Sequence, residues 1–411
     1  MWLSRYWLGF PLSLLLLGVA LSSEPVIGLS VLLLLAGAVA QWWSKHSLDN
    51  VRYERIIPEP RGFPGERMSM TLRLINDKVL PVPLIEVRDA FPEGVLENEE
   101  HLRPASFPGF VLLGRSAHMG WYERINWPIE FDAPARGYYR LGPVRLSSGD
   151  LFGLFPVDRD DRGHDGLIIY PRIYTMPELG LPSRRPFGEQ KGRERIFEDP
   201  GRIAGTREYR PGDPMKRIDW KGTARHNELM SRVYEPSSTH HLLIALNVHT
   251  LAHTWEGYIP ELLERLLSTA GSVARYGIEA GYSVGLAANG VYPDSDRPLR
   301  VPVGSSSDQL MRILEALAVI GPLTLVPLQT VLDREAQNFP FGATLVCVTA
   351  RMDAALAASL LHIAATGHAV TVLSVADEDF DEDLGKIPVF NLSNAMKSLE
   401  LRDAGAREAS P

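Results

Sequence analysis

Charged side chains with binding potential are concentrated between positions 184 and 235. Thirteen Arg and Lys stand there against nine Asp and Glu, in a chain of 411 residues with a net charge of −8. This stretch contains Arg207-Glu-Tyr-Arg-Pro-Gly-Asp213 and then Arg217-Ile-Asp-Trp-Lys-Gly-Thr-Ala-Arg225. A guanidinium binds a carboxylate or phosphate through two parallel hydrogen bonds. We therefore expect internal ion pairs here, or contacts with an anionic partner, and call residues 183–235 the strap.

Two roles are open for the strap: it contacts a partner, or it holds the domain together. Ile218 and Trp220 share one parity of an extended segment, so one face can be buried while the other stays hydrated. Arg217 and Arg225 are expected to pair with Asp213, Asp219 or Glu208. The residues expected to carry either role are Arg207, Glu208, Tyr209, Asp213, Arg217, Asp219, Trp220, Lys221 and Arg225.

Two other groups resemble metal sites but have the wrong surroundings. His249 and His253 are four residues apart, as zinc ligands on a helix are, yet no Glu follows the first His and Pro260 indicates that the helix starts later. The acidic run 377–383 lacks the glycine and the distal Glu of a calcium loop. We interpret them as loop histidines and a solvated acidic loop.

Catalytic motifs are missing from the sequence. It contains no Gly-x-Ser-x-Gly, no Gly-x-x-x-x-Gly-Lys-Ser/Thr and no Gly-x-Gly-x-x-Gly pattern. Cys347 is the single cysteine, which excludes an intramolecular disulfide and a multi-thiolate zinc site.

Two uncharged apolar runs, 6–21 and 26–43, open the chain and predict a membrane-spanning helical hairpin. Arg5 precedes the first run, and Lys45 and Arg52 follow the second, so the positive-inside rule places both termini in the cytoplasm. The alternative is a cleaved signal peptide ending near Ser22. The second run would then still anchor the protein.

The remaining chain shows two sequence patterns, and the expected fold follows from them. Short period-two segments such as 68–75, separated by Pro-Gly and Asn-Asp turns, predict an antiparallel β-sandwich without a catalytic constellation. After the strap, strands alternate with helices, which predicts a doubly wound α/β sheet with sites at the carboxyl ends of its strands. The predicted organisation is a multidomain protein: 1–46 hairpin, 47–182 sandwich, 183–235 strap and 236–411 α/β domain.

Several motifs, in the same order, resemble the bacterial "domain of unknown function 58" family. They are the two strap motifs above, Arg136-Gly-Tyr-Tyr-Arg-Leu-Gly-Pro143, Gly149-Asp-Leu-Phe-Gly-Leu-Phe155 and Tyr170-Pro171. The resemblance implies a membrane-anchored protein with a von Willebrand factor A-like C-terminal domain, often encoded beside a MoxR-type AAA+ ATPase. It implies no settled activity.

Metal-binding relatives of the von Willebrand A fold end their first strand in Asp-x-Ser-x-Ser. The matching positions here are Asn247, His249 and Leu251, with Thr349 on a later loop beside Arg351. Because Mg²⁺ and Mn²⁺ prefer carboxylate oxygens, we expect a degenerate site, no bound metal and no cofactor.

We therefore expect a non-catalytic scaffold protein of the bacterial inner membrane, inserted in lipid through its hairpin and partnered, by resemblance, with a MoxR-type ATPase. One alternative is a hydrolase at the strand ends of the C-terminal domain. Another is binding of anionic lipid or nucleic acid through the strap; the interleaved acids and a pI near 5.8 argue against nucleic acid.

Overall fold

The computed structural model describes residues 7–96, 102–182, 187, 197–210, 213–237, 240–251, 254–292, 295, 297–336, 339 and 343–408. The chain divides into two compact units, Met1–Tyr170 and Pro171–Pro411. The division lies before the boundary at 182 expected from composition, because Tyr174, Met176 and Leu179 belong to the core of the second unit.

Two apolar helices begin the first unit, α1 (Gly9–Ala20) and α2 (Glu24–Ser47). At 1.5 Å per residue, the 24 residues of α2 extend for about 36 Å, enough to cross a hydrocarbon core of ~30 Å. Among the described residues, α2 is the one helix long and apolar enough to span a membrane. Helix α1, with 12 described residues, is shorter.

The chain reverses between the two helices at residues 21–23. Ser22 adopts the left-handed conformation with φ 48°, and the Ser23 N–H donates to the Gly18 carbonyl at 2.9 Å. A Cβ at Gly18 would lie 3.1 Å from Val26 and Ile27, so glycine permits close approach of the helices.

Cationic side chains of the β region hold the carboxyl end of α2. Lys78 Nζ donates to the carbonyl oxygens of Ser47 and Asp49 at 2.7 and 2.6 Å, and Arg159 donates to that of Leu48 at 2.7 Å. Positive charge there also complements the helix dipole. The apolar helix is thus fixed to the β region of its own unit.

The β region of the first unit is almost entirely antiparallel. Its described residues form sheets with the orders β1-β3-β7, β10-β9-β4-β6-β5 and β2-β11-β8, in which β2 pairs with β11 in parallel. Alternate residues of β3, such as Met68, Met70 and Leu72, are buried in the core, as the period-two pattern predicts. The strands are β1 Val51–Ile56, β2 Arg61–Gly62, β3 Arg67–Asn76, β4 Val82–Pro92, β5 Leu102–Pro104, β6 Phe110–Met119, β7 Arg124–Asp132, β8 Gly137–Leu141, β9 Val144–Ser148, β10 Val157–Asp161 and β11 Asp165–Ile169.

The second unit consists of a strap hairpin followed by an α/β sheet. The hairpin pairs β12 (Phe197–Glu208) with β13 (Met230–Ser237) around a 3₁₀ turn at Met215–Arg217 and helix α3 (Trp220–His226). The sheet has the order β16-β15-β14-β17-β18-β19, with β16 antiparallel and the other strands parallel. Its strands are β14 His241–Leu246, β15 Ser283–Val291, β16 Pro298–Gly304, β17 Thr344–Thr349, β18 Ala369–Ser374 and β19 Val389–Asn391.

Helices cover both faces of this sheet, so the doubly wound expectation is confirmed at the level of a parallel-rich α/β domain. Along β14, Leu242 and Ile244 pack on one face while Leu243 and Ala245 pack on the other. Successive side chains of a strand point to opposite faces, and helices on both faces bury them all. The helices are α4 Pro260–Glu279, α5 Gln309–Val319, α6 Leu328–Ala336, α7 Ala354–Ala365 and α8 Ser393–Glu408.

Candidate functional site

The carboxyl ends of β14, β15 and β17 meet at one edge of the sheet, because these strands are parallel neighbours. In such sheets this edge is the usual place for a binding site. Residues at the ends of these strands, together with residues 322–324 after α5, build two adjoining features, a buried polar network and a partly apolar pocket.

Asn247 forms the centre of the buried network. Its Nδ2 donates to Thr349 Oγ1 at 3.1 Å and to the Arg351 carbonyl at 3.3 Å. Its Oδ1 accepts from the His249 N–H at 3.2 Å and from Asn289 Nδ2 at 2.9 Å. Asn289 Oδ1 in turn accepts the Val248 N–H at 2.9 Å. The network thus ties together the ends of all three strands.

These bonds occupy both amide hydrogens of Asn247, and its oxygen accepts twice. An ionised carboxylate at this position could not donate to either of the two acceptors that face Nδ2. The Asn247 side chain is therefore suited to linking the ends of the three strands by hydrogen bonds rather than to binding a cation.

The predicted metal positions separate into two groups. Asn247 and Thr349 meet in the network, whereas His249 and Leu251 line the neighbouring pocket. Within the described ranges, no three His, Cys, Asp or Glu residues are grouped so as to hold a metal ion. His253, the second residue of the zinc spacing, lies outside the described residues.

The pocket lies beside the network and has a volume of about 290 Å³. Trp255 and Leu323, two of its lining residues, are 79% and 75% exposed, and Tyr258 is 45% exposed. Its further lining includes Val248, His249, Thr250, Leu251, Gly257, Pro322 and Thr324. Large exposed apolar side chains clustered around a cavity are typical of a contact surface.

His249 supplies the polar wall of this pocket. Its Nε2 lies 2.6 Å from Thr324 Oγ1. Burial lowers the pKa of His249 below 6.5, and the nearby Arg351 acts in the same direction, while Asp353 opposes them. The lowered pKa favours the neutral form of the imidazole at the pocket wall.

Sequence reasoning missed the aromatic and leucine part of this site. Trp255 and Tyr258 lie between the end of β14 and Pro260, and Leu323 lies in the Pro-bounded segment 322–327. The available signal was large apolar residues in loops, one after a strand of the predicted parallel sheet and one between two helices, where burial in the core does not explain them.

The strap forms an ion pair that closes its loop. Arg207 Nη2 donates to Asp213 Oδ1 at 2.8 Å, and Asp213 Oδ2 accepts the Arg210 N–H at 3.0 Å. The Arg207 guanidinium holds the pKa of Asp213 below its usual value. The charge of Arg217 also lowers the pKa of Asp213, so Asp213 interacts with one arginine that was expected and with Arg207, which was not. Asp219 lies 3.5 Å from Arg232.

The alternating burial expected for Ile218 and Trp220 is wrong. Ile218 is buried, whereas Trp220 is 67% exposed, because α3 begins at Trp220 and the period-two geometry stops there. Lys221 and Arg225 on this helix are exposed too, and Glu208 and Tyr209 lie at the end of β12, where the Tyr209 N–H donates to the Leu229 carbonyl at 2.7 Å. The structure thus turns one aromatic and two cationic strap side chains outward.

The end of this hairpin's first strand, its second strand and the sheet after it fall within a region that matches a known family. Residues 205–407 match the family described as "Protein of unknown function DUF58". The DUF58 match covers just under half of the chain and includes the strap motifs from Arg207 onward together with the polar network and pocket.

A curated relative and two solved structures are also similar to the chain. The "Uncharacterized protein YeaD" of Bacillus subtilis (strain 168) is 26% identical over 227 residues, which is 55% of this chain and 52% of the relative, so the match spans about half of that protein. An aerotolerance-related membrane protein from Bacteroides fragilis is 16% identical, with a TM-score of 0.25, over 39% of this chain and 97% of that one. The CARDB domain of a Pyrococcus furiosus protein is 13% identical, with a TM-score of 0.19, over 29% and 91%.

Proposed function

We propose that this protein is a membrane-anchored scaffold whose carboxyl sheet edge binds a partner protein. The observation that carries the proposal is the cluster of Trp255, Tyr258 and Leu323 around the pocket. Large aromatic side chains at the mouth of a cavity are the kind of residue that dominates binding energy at interfaces. The adjoining polar network satisfies its own hydrogen bonds, so the surface offers shape and apolar area instead of a reactive group.

The anchor in this proposal is a two-pass hairpin with both termini in the cytoplasm. Helix α2 has the length for one pass, and Lys45 at its carboxyl end is exposed, as the positive-inside rule requires. Labelling of single cysteines introduced at Ser22 and at Asp49 of the full chain in intact cells tests this. Only Ser22→Cys is expected to react with an impermeant thiol reagent; reaction at Asp49→Cys would refute the orientation.

The partner we propose is a MoxR-type AAA+ ATPase, on the strength of the family resemblance. The test is capture of the purified ATPase by the full chain in lipid nanodiscs. Trp255→Ala and Leu323→Ser are expected to weaken capture about tenfold or more, as truncation of interface anchors does. Matched controls are Trp121→Ala and Leu401→Ser, whose side chains are 69% and 76% exposed elsewhere.

The possible outcomes test the identity of the partner and the position of the contact surface separately. No capture by the wild-type chain would refute the ATPase as partner. Capture that survives both pocket variants would refute the carboxyl edge as the contact. In the second case Arg225→Glu, on the exposed face of α3, tests the strap as the contact surface instead.

One contact favours the second candidate function, a hydrolase. A neutral histidine 2.6 Å from a threonine hydroxyl is the arrangement of a general base and a nucleophile. Against it, no carboxylate of the described residues forms a hydrogen bond that would orient His249. Turnover of ester or peptide substrates by the full chain, abolished in His249→Gln, would establish this alternative.

A further inference from the structure

A short loop of the first unit turns three large apolar side chains to the outside. It occupies residues 149–155, between β9 and β10. The exposed fractions of Leu151, Phe152 and Leu154 are 57%, 67% and 45%. Exposed apolar side chains grouped in this way are typical of a surface that contacts a protein or a membrane. We call residues 151–154 the apolar tip.

Hydrogen bonds within the loop hold the apolar tip in this arrangement. The Asp150 carboxylate is buried and accepts the Leu154 N–H at 2.8 Å. Gly153 has a φ of 67°, in the left-handed region that favours glycine, and its N–H donates to the Asp150 carbonyl at 3.3 Å. Phe155 turns inward and is 7% exposed. The apolar tip is thus a formed turn whose side chains remain outside the core.

The apolar tip lies beside the carboxyl end of the apolar helix α2. The Ser44 hydroxyl of α2 donates to the Phe155 carbonyl at 2.5 Å. The ring of Phe155 contacts that of Trp7 edge-on, with 5.7 Å between the ring centroids. Phe152 is three residues from Phe155, so their Cα atoms are at most about 11 Å apart. The loop and the helix therefore meet near Ser44.

Ser44 marks the level at which α2 leaves the hydrocarbon core. It directly follows the uncharged apolar run 26–43 and precedes Lys45. Trp42 is 56% exposed, and tryptophan is enriched at the interface between a membrane and water. Once α2 spans a bilayer, the membrane interface at this end of the helix therefore lies at the level of Ser44.

The chain runs toward the bilayer from β10 to the apolar tip. Arg159 of β10 donates to the carbonyl of Leu48, beyond the apolar run, at 2.7 Å. Phe155 accepts from Ser44, about one helical turn nearer to the apolar run. The path from Arg159 to Phe155 therefore follows α2 toward the membrane, and the next residues along this path form the apolar tip.

We propose that the apolar tip inserts into the interface of the leaflet at the carboxyl end of α2. Its occupant is lipid, because the tip continues the membrane interface that Trp42 and Ser44 mark on the helix. Insertion gives the β region of the first unit a second attachment to the membrane besides α2. The proposal rests on the membrane anchor proposed above, but it depends neither on the ATPase partner nor on the two-pass topology.

The test uses the full chain in lipid vesicles, with a fluorescent NBD group attached to a cysteine introduced by Phe152→Cys. The native Cys347 is 0% exposed, so the folded chain protects it from the label. Interfacial apolar side chains lie about 5–10 Å into the boundary between headgroups and acyl chains. We therefore expect a blue-shifted NBD emission and several-fold quenching by lipids that carry a nitroxide near the top of the acyl chain.

The matched control is the same label at Phe107→Cys, an aromatic position that is 39% exposed. Phe107 precedes β6, whose Phe110 pairs with Pro92 of β4. The apolar tip instead follows β9, whose Ser148 pairs with Ile85 of β4. These two positions of β4 are about 23 Å apart at ~3.3 Å per residue. The control label is expected to keep the emission of a solvated dye and to be quenched weakly.

The outcomes distinguish a failure of the tip contact from a failure of the anchor. Flotation with the vesicles shows whether the full chain is bound to the membrane, and a chain that does not float refutes the anchor and the tip contact together. A chain that floats while the label at position 152 is no more quenched than the control refutes the tip contact and leaves the anchor intact. Blue-shifted emission without nitroxide quenching also refutes it, and assigns the apolar tip to a contact with protein.

Discussion

Each unit of the molecule buries a polar cluster, and the two clusters are built from opposite chemistry. In the first unit Arg55 bonds Asp89 through two nitrogens at 2.6 and 2.7 Å and Asp165 at 2.7 Å, with Arg55 and Asp89 side chains 4% and 1% exposed. In the second unit the Asn247 network contains only neutral groups. The charged cluster depends on every partner being present, because an unpaired buried ion is far costlier than an unpaired amide.

The difference explains where each cluster lies. The ion cluster joins β1, β4 and the start of β11 inside the β region of the first unit, where the hydroxyl of Tyr53 also donates to Asp89 at 2.6 Å. The neutral network lies at the sheet edge beside the exposed pocket. A neutral network there positions the loops after the strands without attracting a counterion, which suits a surface proposed to bind through apolar contact.

Removing one ion of the charged cluster is expected to have the largest effect. Asp89→Leu leaves Arg55 buried with one carboxylate fewer, so the free energy of unfolding should fall by about 3–5 kcal/mol. Denaturant unfolding of the solubilised chain measures it. Adding Arg55→Met to Asp89→Leu should recover part of the loss. The matched control is Arg52→Met at the exposed Arg52–Asp77 pair, with an expected change of about 0–1 kcal/mol. An equal loss of unfolding free energy at the buried Arg55–Asp89 pair and at the exposed Arg52–Asp77 pair would contradict this prediction.

Placing a charge in the neutral network is expected to have an intermediate effect. Asn247→Asp keeps the shape but removes the donors to Thr349 and Arg351, at a cost of about 1–3 kcal/mol. Added Mg²⁺ should not restore stability, because Leu251 offers no ligand. The control is Asn126→Asp, on an exposed part of β7 beside Arg73. Restoration by Mg²⁺ would show that the edge can still hold a cation.

The smallest expected effect is a pH dependence at the pocket. Because burial lowers the pKa of His249, the unfolded chain binds more protons between the folded pKa and about 6.5, so stability rises with pH through that window and is constant with respect to this group on either side of it. The melting temperature at about pH 5 relative to about pH 7.5 should drop less in His249→Gln than in the wild type. The control His362→Gln, at an exposed histidine, should keep the wild-type difference in melting temperature. Loss of the pH dependence in both variants would show that it does not come from the histidine of the pocket.

Much of the secondary structure follows from local patterns, but the pairing of side chains does not. The alternation in β3 and the apolar length of α2 are visible in short windows of sequence. The hydrogen-bond partner of Asp213 is not, since the loop brings this carboxylate to Arg207 in addition to the expected neighbour Arg217. Trp220 is a second example of a position that the local pattern does not predict. Helix α3 begins at Trp220, so the alternating pattern that includes Ile218 ends at Asp219.

By itself the sequence determined which segments are apolar, which alternate with strand or helix period, and where charge accumulates. Tertiary structure alone decided that Asn247 meets Asn289 and Thr349, 42 and 102 residues further along. It also brought Arg300 of β16 to Glu335 of α6, at 2.8 Å. The physical reason is that local patterns reflect the burial of one segment, whereas these sites depend on the order and register in which distant parallel strands pair.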